Sequence, residues 1–420
     1  MSDQTRASSG SPNHLRFNAT VNILDGAFFG FALGFASFTT IIPLFVSQLT
    51  DSAILIGLAP AIHTIGWQLP QLFTAGRVRR LTHYKPMVLA MTIHERLPFV
   101  GLALLAWFLP GLERKTALAL VFILLIWQGF GGGWTAAGWQ SMIAKIIPAS
   151  WRGGFLGVQM SAVNLMASAT AVLAGLILER YTSPFDFTLC FSLAGLGMLI
   201  SFIFLGSTRE EEHIPTYLVG GQTHLREDVR RIITRDLVFR RFMVVRIIFQ
   251  VGLVAFSYYS VYAFSELGVT ATQVGWLTGI LIFGEVIFNL IFGALGDRKG
   301  HWLILFLGTL AALLSAILAG WVTAIPAWFV IFVLAGMAYV IAWTTTMVLS
   351  LGFGDPSEQA AYIGLSNTLL APATLISPFL AGWCIEAFGY PTMFRASAGI
   401  FLVAAVLSFS LLRLRTIANT

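Results

Sequence analysis

Long apolar runs, interrupted at short intervals by charges and turn residues, occupy almost the whole chain. Each is close to the roughly 20 residues that carry an α-helix across about 30 Å of hydrocarbon. Dividing the chain at its polar interruptions predicts twelve membrane-spanning helices, at about 18–47, 53–76, 86–110, 116–144, 153–178, 185–207, 240–266, 271–296, 302–323, 326–350, 359–385 and 390–412. The ninth and tenth come from one uncharged run, Trp302 to Gly354, which is too long for a single crossing and divides at Pro326. The longest connection, 208–239, separates two sets of six spans, and polar tails flank them at 1–17 and 413–420. Within that connection Val229, Ile232, Ile233 and Leu237 recur at helical spacing among charges, which predicts an amphipathic helix on the membrane surface or a solvated linker helix.

Composition excludes other classes. Hydrophobic residues make up 57% of the chain and charged residues 10%, against about a quarter charged in soluble domains. A membrane barrel would alternate polar and apolar residues along each strand, and these runs do not, so the expected fold is all-α and polytopic. The net charge of +6 does not point to nucleic acid, because the basic residues sit at span ends and build no continuous basic domain. With both termini in the cytoplasm, nineteen of the 25 Lys and Arg fall on inner segments and three on outer loops, an asymmetry that predicts this orientation in the cell membrane. No short apolar core with a cleavage site precedes the first span, which is therefore expected to do the targeting. Cys190 and Cys384 lie in apolar spans without redox or metal spacing. There is no phosphate-binding Gly-x-x-x-x-Gly-Lys-Ser/Thr loop, no Ser, His and Asp constellation and no metal-spaced histidine pair, so neither enzymatic activity nor a cofactor or metal is expected.

The two sets of six are related in sequence. Ser47-Gln48-Leu49 lies on Ser265-Glu266-Leu267, Gly57 on Gly275, Gln71 on Asn289, Arg80 on Arg298 and His83 on His301, and later Leu173-Ala174-Gly175 on Leu380-Ala381-Gly382. Such repeats underlie many secondary transporters. Between the eighth and ninth spans, Gly293-Ala-Leu-Gly-Asp297-Arg298-Lys299-Gly300-His301 resembles the Gly-x-x-x-Asp-Arg-x-Gly-Arg signature of the major facilitator superfamily. Gln128-Gly129-Phe130-Gly131 and Pro148-Ala-Ser-Trp-Arg152-Gly153 resemble that family's fourth-helix motif and its entry into the fifth helix. There are departures. The first-half loop reads Ala75-Gly-Arg-Val-Arg79-Arg80, with arginine where the family has an acid; Leu125 replaces an arginine; and the fifth helix lacks the Gly-Pro pair typical of proton-linked drug exporters.

Ionisable groups inside spans are costly unless they face a cavity or a partner. Asp25 shares a face with Asn18 and Asn22, a face expected to line the path between the halves. His63, Trp67 and Gln71 form a stripe on the second span, and Thr278, Glu285 and Asn289 one on the eighth. Glu285 is read as a coupling or substrate group, against a structural ion pair with Arg246. Adjacent Glu95 and Arg96 point about 100° apart and are not expected to pair with each other. Gln128 and Trp139, Asn164, Gln250 and Tyr258, Trp343, and Asn367 supply further polar or aromatic candidates on the fourth, fifth, seventh, tenth and eleventh spans. A cavity with few charges, several amides and several aromatics suits a mid-sized organic molecule, although helix packing also uses such groups.

The resemblance implies a monomeric secondary transporter working by alternating access, with a small-molecule substrate and the lipid bilayer as its partners and protons as the candidate coupling ion. The leading expectation is proton-coupled export of a small amphiphilic or cationic organic molecule through Asp25 and Glu285; uptake of a sugar-like or other polar nutrient and a non-transporting sensor on the same fold are the alternatives. Gly293, Asp297 and Arg298 form the signature loop, and two cytoplasmic latches are expected: Asp297 with Arg152 or the start of the fifth helix, and Arg79 or Arg80 with Asp355 or Glu358.

Overall fold

The computed structural model describes residues 12–78, 81–211, 232–234, 236–353 and 359–418, and among them every regular element is helical. Span 1 comprises Pro12–Phe35 and Ile41–Leu49; span 2 is Ala53–Val78, span 3 Lys85–Phe108, span 4 Arg114–Ile146, span 5 Ala149–Arg180 and span 6 Phe185–Gly206. Span 7 comprises Leu237–Leu253 and Phe256–Ser265; span 8 is Ala271–Lys299 and span 9 His301–Trp321. Span 10 runs from Ile325–Val340 through a π-helical turn, Ile341–Thr345, into Thr346–Leu351; spans 11 and 12 are Gln359–Phe388 and Tyr390–Ala418. Ten helical segments are long and apolar enough to cross a membrane. The other two crossings are spans 1 and 7, the two that break. The all-α architecture of twelve transmembrane helices is as the hydrophobic pattern predicts.

The helix of span 1 begins at Pro12, not at residue 18, because proline is favoured at a first helical position and the polar residues after it still hold helical geometry. Of the predicted amphipathic linker helix, 226–231 and 235 lie outside the described residues; Ile232 and Ile233 lie on a helical piece, and Leu237 is the first residue of span 7. Its Ile232 is buried in the core, its Ile233 is exposed, and the Asp236 carboxylate accepts the Phe239 backbone N–H at 2.8 Å, capping span 7.

Packing repeats the sequence symmetry. Span 1 packs on 5 and 6, span 2 on 4, and span 3 on 4 and 6; correspondingly span 7 packs on 11 and 12, span 8 on 10, and span 9 on 10 and 12. The halves meet where span 5 lies against 8 and span 2 against 11, pairs that exchange under the same repeat. Glycine permits the first contact: a Cβ at Gly175 or Gly275 would lie 2.7–2.8 Å from the other's Cα. Leucine, isoleucine, valine and aromatic side chains outside the bundles stay exposed, among them Leu104, Ile123, Leu290 and Trp383, as a lipid-facing surface requires.

Candidate functional site: a cavity between the halves

A cavity of about 330 Å³ lies between the halves, walled by spans 1, 2, 4, 7, 10 and 11. Three backbone irregularities border it. Span 1 opens between Phe35 and Ile41, where Phe38 and Thr39 reach the wall; span 7 is interrupted at Val254–Ala255, with Leu253 and Val254 on the wall; the π turn of span 10 carries Ala342 and Trp343 to it. Non-helical backbone is tolerated at membrane depth where it lines a cavity, and π turns concentrate at functional sites.

On the first half's wall His63 Nδ1 lies 2.6 Å from Gln128 Oε1, and the imidazole stacks on Phe38 with ring centroids 3.7 Å apart. One turn further along span 2, Trp67 meets Trp343 of span 10 edge to face at 5.6 Å, an aromatic contact between halves. On the second half's wall, Arg246 donates from Nη1 to Ser366 Oγ at 2.8 Å and from Nη2 to Asn367 Oδ1 at 3.2 Å. Among the described lining residues Arg246 is the charged one. Gln68, Gln140, Gln250 and Thr374 add neutral polar groups.

The end of the cavity opposite the chain termini is closed. Tyr258 donates its hydroxyl to the Ala53 carbonyl at 2.6 Å, Ser52 Oγ donates to Glu386 Oε1 at 3.1 Å, and the Thr272 backbone N–H donates to Glu179 Oε2 at 3.0 Å, each bond joining the halves.

The family model of the Major Facilitator Superfamily matches residues 96–265 and 253–419. The chain belongs to this superfamily. Solved structures share its architecture: a bacterial homologue of the human lysosomal transporter Spinster, in an inward-facing and unoccupied conformation (TM-score 0.71, 14% identity, 96% of this chain and 98% of that one), the nucleoside transporter NupG (0.72, 13%, 94% and 100%), and a D-xylose-proton symporter (0.72, 18%, 94% and 97%). No curated protein sequence matches the chain.

Of the residues singled out from sequence, the cavity gathers His63, Arg246, Gln250, Trp343 and Asn367, with Gln128 directly behind His63. Tyr258 closes the far end. The side chain of Gln71 is outside the description, and Trp139 packs against an apolar cluster that also holds Val88 and Met142. Asn164, Glu285 and Asn289 are not on the wall; Glu285 belongs to the face of span 8 against span 10, where a Cβ at Gly336 would lie 3.4 Å from its backbone nitrogen. No ion pair joins Glu285 and Arg246 among the described residues.

Asp25 requires a correction. Its face looks toward spans 3 and 6, not the cavity: Asp25 Oδ1 accepts from Arg96 Nη2 at 3.0 Å and from Ser201 Oγ at 2.6 Å, Asn22 donates to Thr208 Oγ1 at 3.0 Å, and Asn18 binds both backbone groups of Arg209. Glu95 and Arg96 also approach each other, at 3.6 Å, because long side chains can curl back across the angle between neighbouring helical positions. Thr92 bonds both of them.

Gly293 lies on span 8, and Asp297 and Arg298 are exposed at its end, with Asp297 Oδ1 3.5 Å from His301. Arg79, Arg80, Asp355, Glu358 and the side chain of Arg152 lie outside the description, so neither latch can be placed. Sequence reasoning missed Phe38, Gln68, Gln140, Tyr339 and Ser366. Gln68, Gln140 and Ser366 adjoin Trp67, Trp139 and Asn367, so widening each polar stripe by one residue would have found them.

Proposed function

We propose that the chain is a secondary transporter that carries a small organic solute across the cell membrane by alternating access through this cavity, as a monomer with both termini in the cytoplasm. The observation that carries the reading is a cavity walled by both halves and closed at one end by bonds that join those halves. Exposing a site alternately to two sides requires such an interface. The orientation rests on the nineteen-to-three bias of basic residues.

Aromatic walls formed by Phe38, Trp67, Tyr339 and Trp343 suit a solute with an apolar body. Aromatic faces also accept cations, but the charged group among the described lining residues is Arg246, which weighs against one. For coupling, Glu285 is the better candidate for an exchanged proton: it has no hydrogen-bond or ion-pair partner among the described residues, whereas Asp25 is engaged by Arg96 and Ser201. Export in exchange for protons is the working direction.

The test is flux in sealed proteoliposomes across a panel of organic solutes, with and without an imposed pH gradient. Accumulation driven by the gradient in wild type, and only downhill flux in Glu285→Gln, is expected. Ligand-induced stabilisation without flux for any solute would make the protein a sensor instead.

A further inference from the structure

We infer that Arg246 anchors an anionic group of the solute, so that the substrate class is a small organic anion, a carboxylate or comparable oxyanion on an apolar or aromatic body. The inference rests on the transporter reading and names what that cavity holds.

The guanidinium projects from span 7 within the membrane-spanning region, where an uncompensated charge is costly. Its described partners are neutral: the Ser366 hydroxyl and the Asn367 amide oxygen. Its Nε is buried without a hydrogen-bond partner, and among the described residues the ion pairs are Arg96 with Asp25 and Glu95, Lys145 with Glu210 and His301 with Asp297, none with Arg246. The three acids singled out within the spans do not serve. Asp25 and Glu95 are drawn to Arg96 in the other half, and Glu285 is not on the cavity wall. A planar guanidinium with spare donors at the edge of a cavity is matched by an oxyanion that can accept two parallel hydrogen bonds.

The neighbours complete the arrangement. Because Asn367 Oδ1 accepts from Arg246, the Asn367 amide N–H₂ points its donors away from the guanidinium, and Asn367 lines the cavity. Gln250 stands one helical turn from Arg246 on the same wall. Among the described residues this part of the wall thus carries a guanidinium and the amides of Asn367 and Gln250, while Trp67 and Trp343 bound an apolar region for the body of the molecule.

The experiment uses matched sets of one skeleton with three charges: indole-3-acetate, indole-3-acetamide and tryptamine; hexanoate, hexanamide and hexylamine; and phenylacetate with its amide and amine. Thermal stabilisation of the purified full chain and flux in proteoliposomes are read for each. At least one acid is expected to stabilise wild type more than its amide and amine, with affinity falling about tenfold or more in Arg246→Gln, as loss of a charge-assisted pair implies. Arg246→Lys should recover part of it. Asn367→Asp provides a second variant that keeps Arg246: an internal carboxylate beside the guanidinium should raise the stability of the ligand-free protein and abolish the acid response. If no acid exceeds its neutral and cationic partners, or if acids bind Arg246→Gln as well as wild type, the anchor is overturned. Arg246-independent flux of amides or amines would overturn the anchor and leave the transporter standing; Arg246-dependent binding of acids without flux would do the reverse.

Discussion

At the scale of single residues, the buried charges of this chain divide by what they touch. Asp25, Arg96 and Ser201 bond one another where spans 1, 3 and 6 meet, and Phe29 covers the guanidinium at 5.4 Å. Removing one member of a buried pair leaves the other uncompensated, a loss of about 3–5 kcal/mol, whereas removing both costs far less. Arg96→Leu should therefore lower the melting temperature sharply, and Arg96→Leu with Asp25→Asn should recover most of the loss. If the double variant is no more stable than the single one, the pair does not carry that stability. Asp25, Asn18 and Asn22 also mark what can be read from sequence. Their spacing places them on one face correctly, but periodicity does not say which helix the face meets, and here it meets span 6. Arg246 was legible as an intramembrane charge, while the neutrality of its partners depends on which residues of span 11 fold against it.

At the scale of elements, the apolar runs and their breaks were enough to find twelve spans, including the division between spans 9 and 10 before Pro326. The interior irregularities were not legible. Span 1 opens at Ser37-Phe-Thr-Thr40 and the π turn of span 10 is Ile341-Ala-Trp-Thr-Thr345, and neither contains glycine or proline. These are determined by packing. Gly308 of span 9 gives room for Ile341, the residue that opens the π turn, and a Cβ there would overlap the isoleucine side chain. Gly308→Ala should displace Ile341, disturb the placement of Trp343 and destabilise the protein by about 1–3 kcal/mol. Gly399→Ala is the matched control: its Cβ would meet nothing within 4 Å, so the better helix propensity of alanine should leave it neutral or slightly more stable. Lower flux and melting temperature in the first variant and not in the second would locate the effect at the π turn; equal behaviour of the two would remove it.

At the scale of the whole molecule, transport depends on the balance between closing one end of the cavity and closing the other. Among the described residues the bonds that close the far end include that of Tyr258, whose neighbour Gly57 lines the cavity. Its hydroxyl reaches the Ala53 carbonyl because Gly57, one turn along span 2, has no side chain to obstruct it; a Cβ at Gly57 would collide with that hydroxyl. Tyr258→Phe removes the bond and keeps the ring, which packs against Tyr390 at 6.2 Å. A hydrogen bond of this kind is worth about 0.5–1.5 kcal/mol, enough to shift two nearly balanced states roughly two- to tenfold. A cysteine introduced at Thr64 on the cavity wall reports the shift through its labelling by an impermeant maleimide. From the side opposite the termini, labelling should be faster in Tyr258→Phe than in wild type by about that factor, and faster again in Gly57→Ala, where the added methyl displaces the hydroxyl. From the side of the termini it should slow. Unchanged labelling from both sides in both variants would mean that this bond does not hold the far end shut, and that closure rests on the packing of spans 5 and 8 and of spans 2 and 11.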